Sequence, residues 1–345
     1  MKINYKPFEL ELKYPFTISG FSRNSTPIML LDISCEGFTG YGEASMVPYM
    51  GENTQSAIDF LKMVDLSWLK PPFDFDELSV YLDSLSSGNP NIKAAIDIAL
   101  HDLSGKIFNI PCYRMFGSDP KNMPLTSLTI GIAAPEMIIR KVREAADCHI
   151  IKVKLGRDND QELINTIRSV TDKPLFVDAN QGWTDRNRGI DMAYWLAEKG
   201  TLLIEQPMLK TDLEGNAWIT EHSPIPIIAD EAVQRLADVE IVKGAYHGIN
   251  MKLMKSGGMA EGFKMIKKAK DQNMKVLIGC MSETSCATLA ASALAPLCDW
   301  ADLDGPFLTS NNPFKDPNFV NGKWILNDEP GLGLKKYGGG VTVRK

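Results

Sequence analysis

The chain has 345 residues, 44% hydrophobic and 23% charged, with a net charge of −6 and a pI near 5.4. That length gives roughly two domains with a substantial core, and the acidic balance argues against nucleic acid or an anionic membrane surface as partner. No apolar run reaches the roughly 18 residues of a membrane span, and the alternating N-terminus MKINYKPFELELKYPF lacks the apolar core of a secretory leader, so a cytoplasmic protein is expected.

Residues 2–14 alternate polar and apolar, residues 28–35 (IMLLDISC) form an apolar run, and Gly37, Gly40 and Gly42 punctuate the turn region before GEAS. Helical spacing follows over 54–64 and again over 92–108. Strands followed by helices, without alternation, predict a small α+β unit over about residues 1–120. From about residue 124 the rhythm changes. Short β-rich runs recur at 125–132, 149–155, 174–179, 201–206, 225–231, 248–253, 275–280 and 300–305, separated by helical stretches such as PEMIIRKVREAA and MAEGFKMIKKAKDQ. Eight strands alternating with helices predict an α/β fold of the TIM-barrel kind, (β/α)7β, over 121–310, with the last helix missing. An open doubly wound sheet is the alternative; the count of eight and the lack of a GxGxxG run favour the barrel. Residues 311–345 read as a C-terminal segment packing back on the first unit.

In such barrels chemistry sits at the C-terminal ends of the strands. Read in order, those ends carry Lys152 and Lys154, then Asp178, Glu205, Asp230 and Lys252. Lys152 and Lys154 are two apart and leave the same face of their strand. Carboxylates on three adjacent strands converge, and oxygen donors suit a hard cation such as Mg2+. Strands two and six stand opposite in a ring of eight, so lysines flank whatever the cation holds. A lone acid at a strand end can be a helix cap, and KVK alone can be an edge strand with lysines in solvent. Five successive strands that each end in a suitable charge are not the product of capping.

The remaining polar candidates carry no chemistry. His101 falls in an apolar helical pattern, while His149, His222 and His247 lie near strand starts. Ser256-Gly257-Gly258 reads as a turn without a phosphate-loop pattern around it. Met251, Met254 and Met259 read as packing residues. Cys35, Cys112, Cys148, Cys280, Cys286 and Cys298 show no CxxC pair and read as reduced thiols.

KVKLG, VDANQGW, IEQP, ADEA and INMKLMKSGG, in this order and at these strand positions, resemble the muconate-lactonizing subgroup of the enolase superfamily. AAIDIALHDLSGKIFNIPCYRMFG resembles the end of that family's capping domain, and GYGEAS with PYMGE the segment feeding a loop over its active site. The resemblance implies that Asp178, Glu205 and Asp230 bind one Mg2+, that Lys154 and Lys252 are the acid/base pair, and that Lys152 supports the enolate. Asp302-Leu303-Asp304 at the end of strand eight matches the Asp-x-Asp associated with the substrate α-ammonium in dipeptide epimerases. Arg23, in a predicted loop FTISGFSRNSTP, resembles the arginine that receives a glutamate side chain, and Thr129 is grouped with the substrate-binding residues. A Mg2+-assisted 1,1-proton transfer on the C-terminal residue of a dipeptide such as L-Ala-D/L-Glu is therefore expected, with a role in murein peptide metabolism. N-acylamino acid racemase, o-succinylbenzoate synthase and a non-catalytic binding barrel are the alternatives. The expected partner is a small dipeptide, with neither nucleic acid nor membrane; a homo-oligomer is compatible with the sequence.

Overall fold

A computed structural model describes residues 1–17, 22–157 and 159–336. The N-terminal unit opens with β1 (Lys2–Thr17), β2 (Ser22–Cys35) and β3 (Phe38–Ser45), an antiparallel sheet in that order. β2 and β3 are joined by Glu36 and Gly37 alone, at φ 54° and 83°, the left-handed pair that a two-residue hairpin requires. The helices α1 (Thr54–Met63), α2 (Phe75–Leu85) and α3 (Pro90–Phe108) follow. Asn53 and Ser56 form a capping box on α1, and Asp74 caps α2 through the amides of Asp76 and Glu77. α3 starts with Pro90 in its first turn and stops at Asn109, which adopts φ 56°. Gly40 and Gly42 bring β3 against this helix, since a Cβ on either would collide with the carbonyls of Ala99 and Ala95. A short α4 (Cys112–Met115) leads out of the unit.

Eight parallel strands then follow in chain order: β4 (Ser127–Ile130), β5 (Ile150–Lys154), β6 (Leu175–Asp178), β7 (Thr201–Glu205), β8 (Ile227–Ala229), β9 (Gly248–Lys252), β10 (Lys275–Gly279) and β11 (Trp300–Asp302). A parallel bridge between Thr126 and Ala301 joins the last strand to the first, so the sheet is a barrel and not the open alternative. The intervening helices are α5 (Pro135–Glu144), α6 (Asp160–Arg168), α7 (Arg186–Glu198), α8 (Leu213–His222), α9 (Asp238–Ile241), α10 (Leu253–Ser256), α11 (Met259–Asp271) and α12 (Ser285–Leu294). Among the described residues the single turn α13 (Gly305–Leu308) is the one helix after β11, so the barrel is (β/α)7β. The tail carries a small hairpin, β12 (Phe319–Val320) and β13 (Lys323–Trp324), and returns to the first unit, where Leu332 N donates to Asp102 of α3 at 2.8 Å.

The barrel interior follows from the two-residue period of a strand. Ile150, Phe176, Leu203, Ile228 and Leu277 form one apolar cluster, each at most 5% exposed. Two residues further along four of these strands stand Lys152, Asp178, Glu205 and Asp230, on the same face but one layer nearer the C-terminal end. Each floor side chain contributes about 1.5–3 kcal/mol by burial, which helps to offset the desolvation of the charges above it.

The two units meet on the C-terminal face of the barrel. Asp97 of α3 accepts from the first amide of α11, Met259 N, at 2.5 Å. Glu43 of β3 accepts from Thr284 N at 2.8 Å and Ala287 N at 3.3 Å at the start of α12, and from the Thr284 hydroxyl. Two helix starts of one unit are thus capped by carboxylates of the other. Arg235, after β8, bridges Asp83 of α2 and Glu261 of α11 at 2.8 and 2.7 Å.

Candidate active site

The charged layer is closely paired. Lys152 Nζ lies 2.7 Å from Glu205 Oε2, 2.7 Å from Asp302 Oδ2 and 3.5 Å from Asp178. Lys154 Nζ is 2.5 Å from Asp178 Oδ2, and Lys252 Nζ is 2.6 Å from Asp230 Oδ2. One carboxylate oxygen from each of Asp178, Glu205 and Asp230 falls within 4.8 Å of the others. Three hard oxygen donors, buried and converging over an apolar floor, fit a small divalent cation.

Burial works against charge here, and neighbouring lysines decide the outcome. At Asp230 desolvation is outweighed by Lys252 and Lys255, and the carboxyl is held well below its ordinary range. Asp178 is likewise lowered, because Lys154 and Lys152 overcome its burial. Glu205 is pushed up to about 8 by burial and by the charge of Asp178, despite Lys152. Three carboxylates this close resist carrying three charges, the condition that a cation relieves.

A cavity of about 280 Å3 opens above this layer, lined among others by Lys154, Lys252, Asp230, Arg23, Tyr49 and Met281. Arg23 does reach it, but from the second residue of β2 and not from a loop; Ile18–Phe21 of the predicted loop lie outside the described residues. Its Nη2 donates to Ser282 Oγ at 2.7 Å. Asp302 and Asp304 are buried at the rim between β11 and β4. Asp302 also accepts from Ser127 Oγ at 2.7 Å, while Asp304 accepts from Thr129 N at 2.6 Å and is pushed up to about 6 by burial and by Asp302. Neither lines the 280 Å3 cavity. Thr129 does not line it either; it borders a separate space of about 200 Å3 with Tyr14, Phe16 and Phe307.

Several further residues join the site. Lys255 Nζ spends three bonds on Asp230 Oδ1 at 2.5 Å, Asp230 O at 2.7 Å and Asn250 O at 2.9 Å. Asn250 Nδ2 holds Glu205 Oε1 at 2.7 Å. Asn250 was missed, although it precedes Lys252 by two on the same strand and the two-residue period could have found it. Lys255 lies beyond the strand, where the two-residue rule no longer applies. Asn180, Gln181 and Gln206 sit just past Asp178 and Glu205 with φ of 45°, 63° and 38°. Such non-glycine backbone costs about 1–3 kcal/mol each and concentrates at functional sites.

Comparison with known proteins matches residues 3–117 to the family described as mandelate racemase/muconate lactonizing enzyme, N-terminal domain, and residues 137–336 to that described as enolase C-terminal domain-like. The chain belongs to the enolase superfamily. Among its enolase-superfamily relatives, the L-Ala-D/L-Glu epimerase of Bacteroides thetaiotaomicron is 52% identical over 97% of this chain and 88% of its own. The L-Ala-D/L-amino acid epimerase of Pedosphaera parvula is 34% identical over 91% and 92%. Among solved structures, the dipeptide epimerase of Enterococcus faecalis V583, complexed with Mg and L-Leu-L-Tyr, superposes with a TM-score of 0.88 at 30% identity, covering 96% of this chain and 98% of that one. The dipeptide epimerase of Cytophaga hutchinsonii, complexed with Mg and D-Ala-L-Val, gives a TM-score of 0.90 at 27% identity, covering 99% and 96%. Among the described residues, no helix of this superfamily member is long and apolar enough to cross a membrane.

Proposed function

We propose that this protein is a dipeptide epimerase of the L-Ala-D/L-Glu class, inverting the α-carbon of the C-terminal residue by two-lysine 1,1-proton transfer. The observation that carries the mechanism is that Lys154 on β5 and Lys252 on β9, four strands apart in the ring of eight, both line one cavity beside the carboxylate cluster. Asp178, Glu205 and Asp230 would hold Mg2+. Bound there, the ion supplies positive charge to the substrate carboxylate, where negative charge grows as the α-proton leaves.

The side chains of the chain do the rest. One lysine, as the neutral amine, takes the α-proton from its own face; the other, as the ammonium, returns a proton to the opposite face. The next turnover in reverse restores both. Lys152, held among Glu205, Asp302 and Asp178, adds fixed positive charge on the side of the substrate carboxylate. Asp302 and Asp304, buried outside the 280 Å3 cavity, are the anchor for the substrate ammonium, which must reach past Lys152 to meet them. Asp304 suits this, since one carboxylate oxygen accepts from Thr129 N while the other faces the weak Cys280 thiol donor, at 3.7 Å. Arg23 receives the glutamate carboxylate, with Ser282 steadying the guanidinium. All six cysteines are free thiols, which fits a cytoplasmic enzyme.

The direct test is incubation of L-Ala-L-Glu with the Mg2+-loaded enzyme in deuterated water. α-Deuterium and the L-Ala-D-Glu epimer are expected to build up together; a substrate recovered without label would refute the reading. Arg23→Ala should flatten the preference for glutamate over alanine at the C-terminal position, read as the ratio of the two kcat/KM values.

A further inference from the structure

A third and larger cavity, of about 530 Å3, lies between the two units and shares lining residues with the catalytic one. Gln234 and Lys255 of the barrel line both spaces, and so do Tyr49 and Met50 of the first unit. The latter two belong to a single tight turn, Pro48–Met50, rooted by the fully buried Val47, whose carbonyl accepts from Met50 N at 3.0 Å. The turn leads with the Tyr49 ring. More than half of that residue is exposed, at 53%, yet its hydroxyl reaches inward to donate to Met281 Sδ at 3.1 Å. The ring, which lines both spaces, is therefore held at its far end.

The chamber behind the ring makes no demand for a charged guest. Its three charged groups are all committed, Glu52 to the amides of Asn91 and Ile92 at 2.7 and 3.3 Å, Arg235 to Asp83 and Glu261, and Lys255 to Asp230 and Asn250, and the rest of the lining is neutral, with Ser56, Ser87, Asn89 and Gln234 among it. A substrate α-carbon between Lys154 and Lys252, with its carboxylate at the acidic cluster, must send its side chain toward Arg23, Met281 and Tyr49. A glutamate side chain ends at Arg23. Anything bulkier meets the ring.

We propose that Tyr49 is a specificity-determining residue that closes the site behind the side chain of the epimerised residue, and that the space it closes off is a latent extension for large uncharged side chains. This rests on the epimerase reading above. A ring at this boundary excludes by size, so removing it should admit what it excluded. Because the residue is largely exposed, its truncation leaves little buried void.

The test compares wild type, Tyr49→Phe and Tyr49→Ala on L-Ala-L-Glu and L-Ala-L-Phe, reading initial epimerisation and α-deuterium exchange. In Tyr49→Ala the kcat/KM ratio of the phenylalanine to the glutamate dipeptide should rise about tenfold or more, mainly through KM. Tyr49→Phe keeps the ring and should hold the wild-type ratio within about threefold. An unchanged ratio in Tyr49→Ala, or an equal loss on both substrates, overturns the inference. So does a Tyr49→Phe ratio that follows Tyr49→Ala, which would assign the effect to the hydroxyl contact with Met281. Failure of the wild type to exchange on either dipeptide would instead refute the epimerase reading itself.

Discussion

Two regions of this protein bury carboxylates on the same face of the barrel, and they satisfy them differently. Where the units meet, Glu43 and Asp97 are held by backbone amides at the starts of α12 and α11. Inside the barrel, Asp178, Glu205 and Asp230 are held largely by lysine ammonium groups. An amide at a helix start cannot leave its partner without unwinding the helix. An ammonium on a four-carbon stem can turn to another acceptor. The first arrangement fixes a shape, and the second is a set of exchangeable contacts that a cation and a substrate can rearrange. Lys255 marks the border. Its three donors are all used, one on a carboxylate and two on backbone carbonyls, so it behaves as a fixed counter-charge although it shares Asp230 with Lys252.

The comparison breaks most visibly at the two exchangeable lysines. Lys154→Ala and Lys252→Ala should each lower epimerisation by about 1,000-fold or more while leaving the fold intact, because proton transfer on one face is lost. Each variant should still exchange the α-proton of one epimer in deuterated water, and the two should favour opposite epimers. Near-normal epimerisation by either would remove that lysine from the pair.

Glu205→Gln probes the carboxylate side. The amide keeps the Asn250 neighbourhood filled but carries no charge, so Mg2+ affinity measured by calorimetry should fall about 100-fold or more, and activity with it. An unchanged affinity would show that the cation sits elsewhere. A smaller effect is expected at the rim. Asn at both 302 and 304 should reduce kcat/KM for L-Ala-L-Glu about ten- to hundredfold more than for its N-acetyl form, since each charge-assisted bond contributes about 1.5–3 kcal/mol. Equal losses on the two substrates would argue for the racemase class instead.

The smallest effect concerns the fixed region and is one of stability. Glu283, beside Glu43 at the unit boundary, is pushed up to about 8 by burial and by the charge of Glu43. The folded state then binds a proton that the unfolded state has already released, so stability falls as pH rises from the ordinary glutamate range toward about 8. Glu283→Gln never ionises. Its Tm should gain on the wild type steadily between about pH 5 and pH 8, by a few degrees. Parallel Tm curves for the two proteins would mean that the carboxyl is not held protonated in the fold.

The strands and the charged layer were legible because both rest on local periods. Lys154, Asp178, Glu205 and Lys252 end their strands, Lys152 is the inward residue two before Lys154, and Asp230 immediately follows its strand. The predicted strands overshot the observed ones by one to four residues, because each was carried on to the charged or turn residues that follow it, such as Gln206, Glu231 and Gly305. The cap contacts were not legible. Glu43 meets Thr284 across 241 residues and Asp97 meets Met259 across 162, so no local window contains both partners. Tyr49 escaped for a related reason, since a three-residue turn has no period and its role depends on Met281 in the other unit. Arg23 was placed in a loop because Gly20 and the polar SRNST stretch read as a break, whereas pairing with Phe16 and Thr17 draws Ser22 and Arg23 into the sheet.

The apolar floor of the barrel has a consequence for traffic. Ile150, Phe176, Leu203, Ile228 and Leu277 seal the end away from the site, so what reaches the lysines must enter and depart by the same mouth. For the proposed reaction, arriving and departing molecules differ only in the side on which one proton sits. Each epimer is then both customer and competitor, and turnover on its own runs to a mixture of the two. Directional flow through such a blind well has to come from a later reaction that removes one epimer selectively.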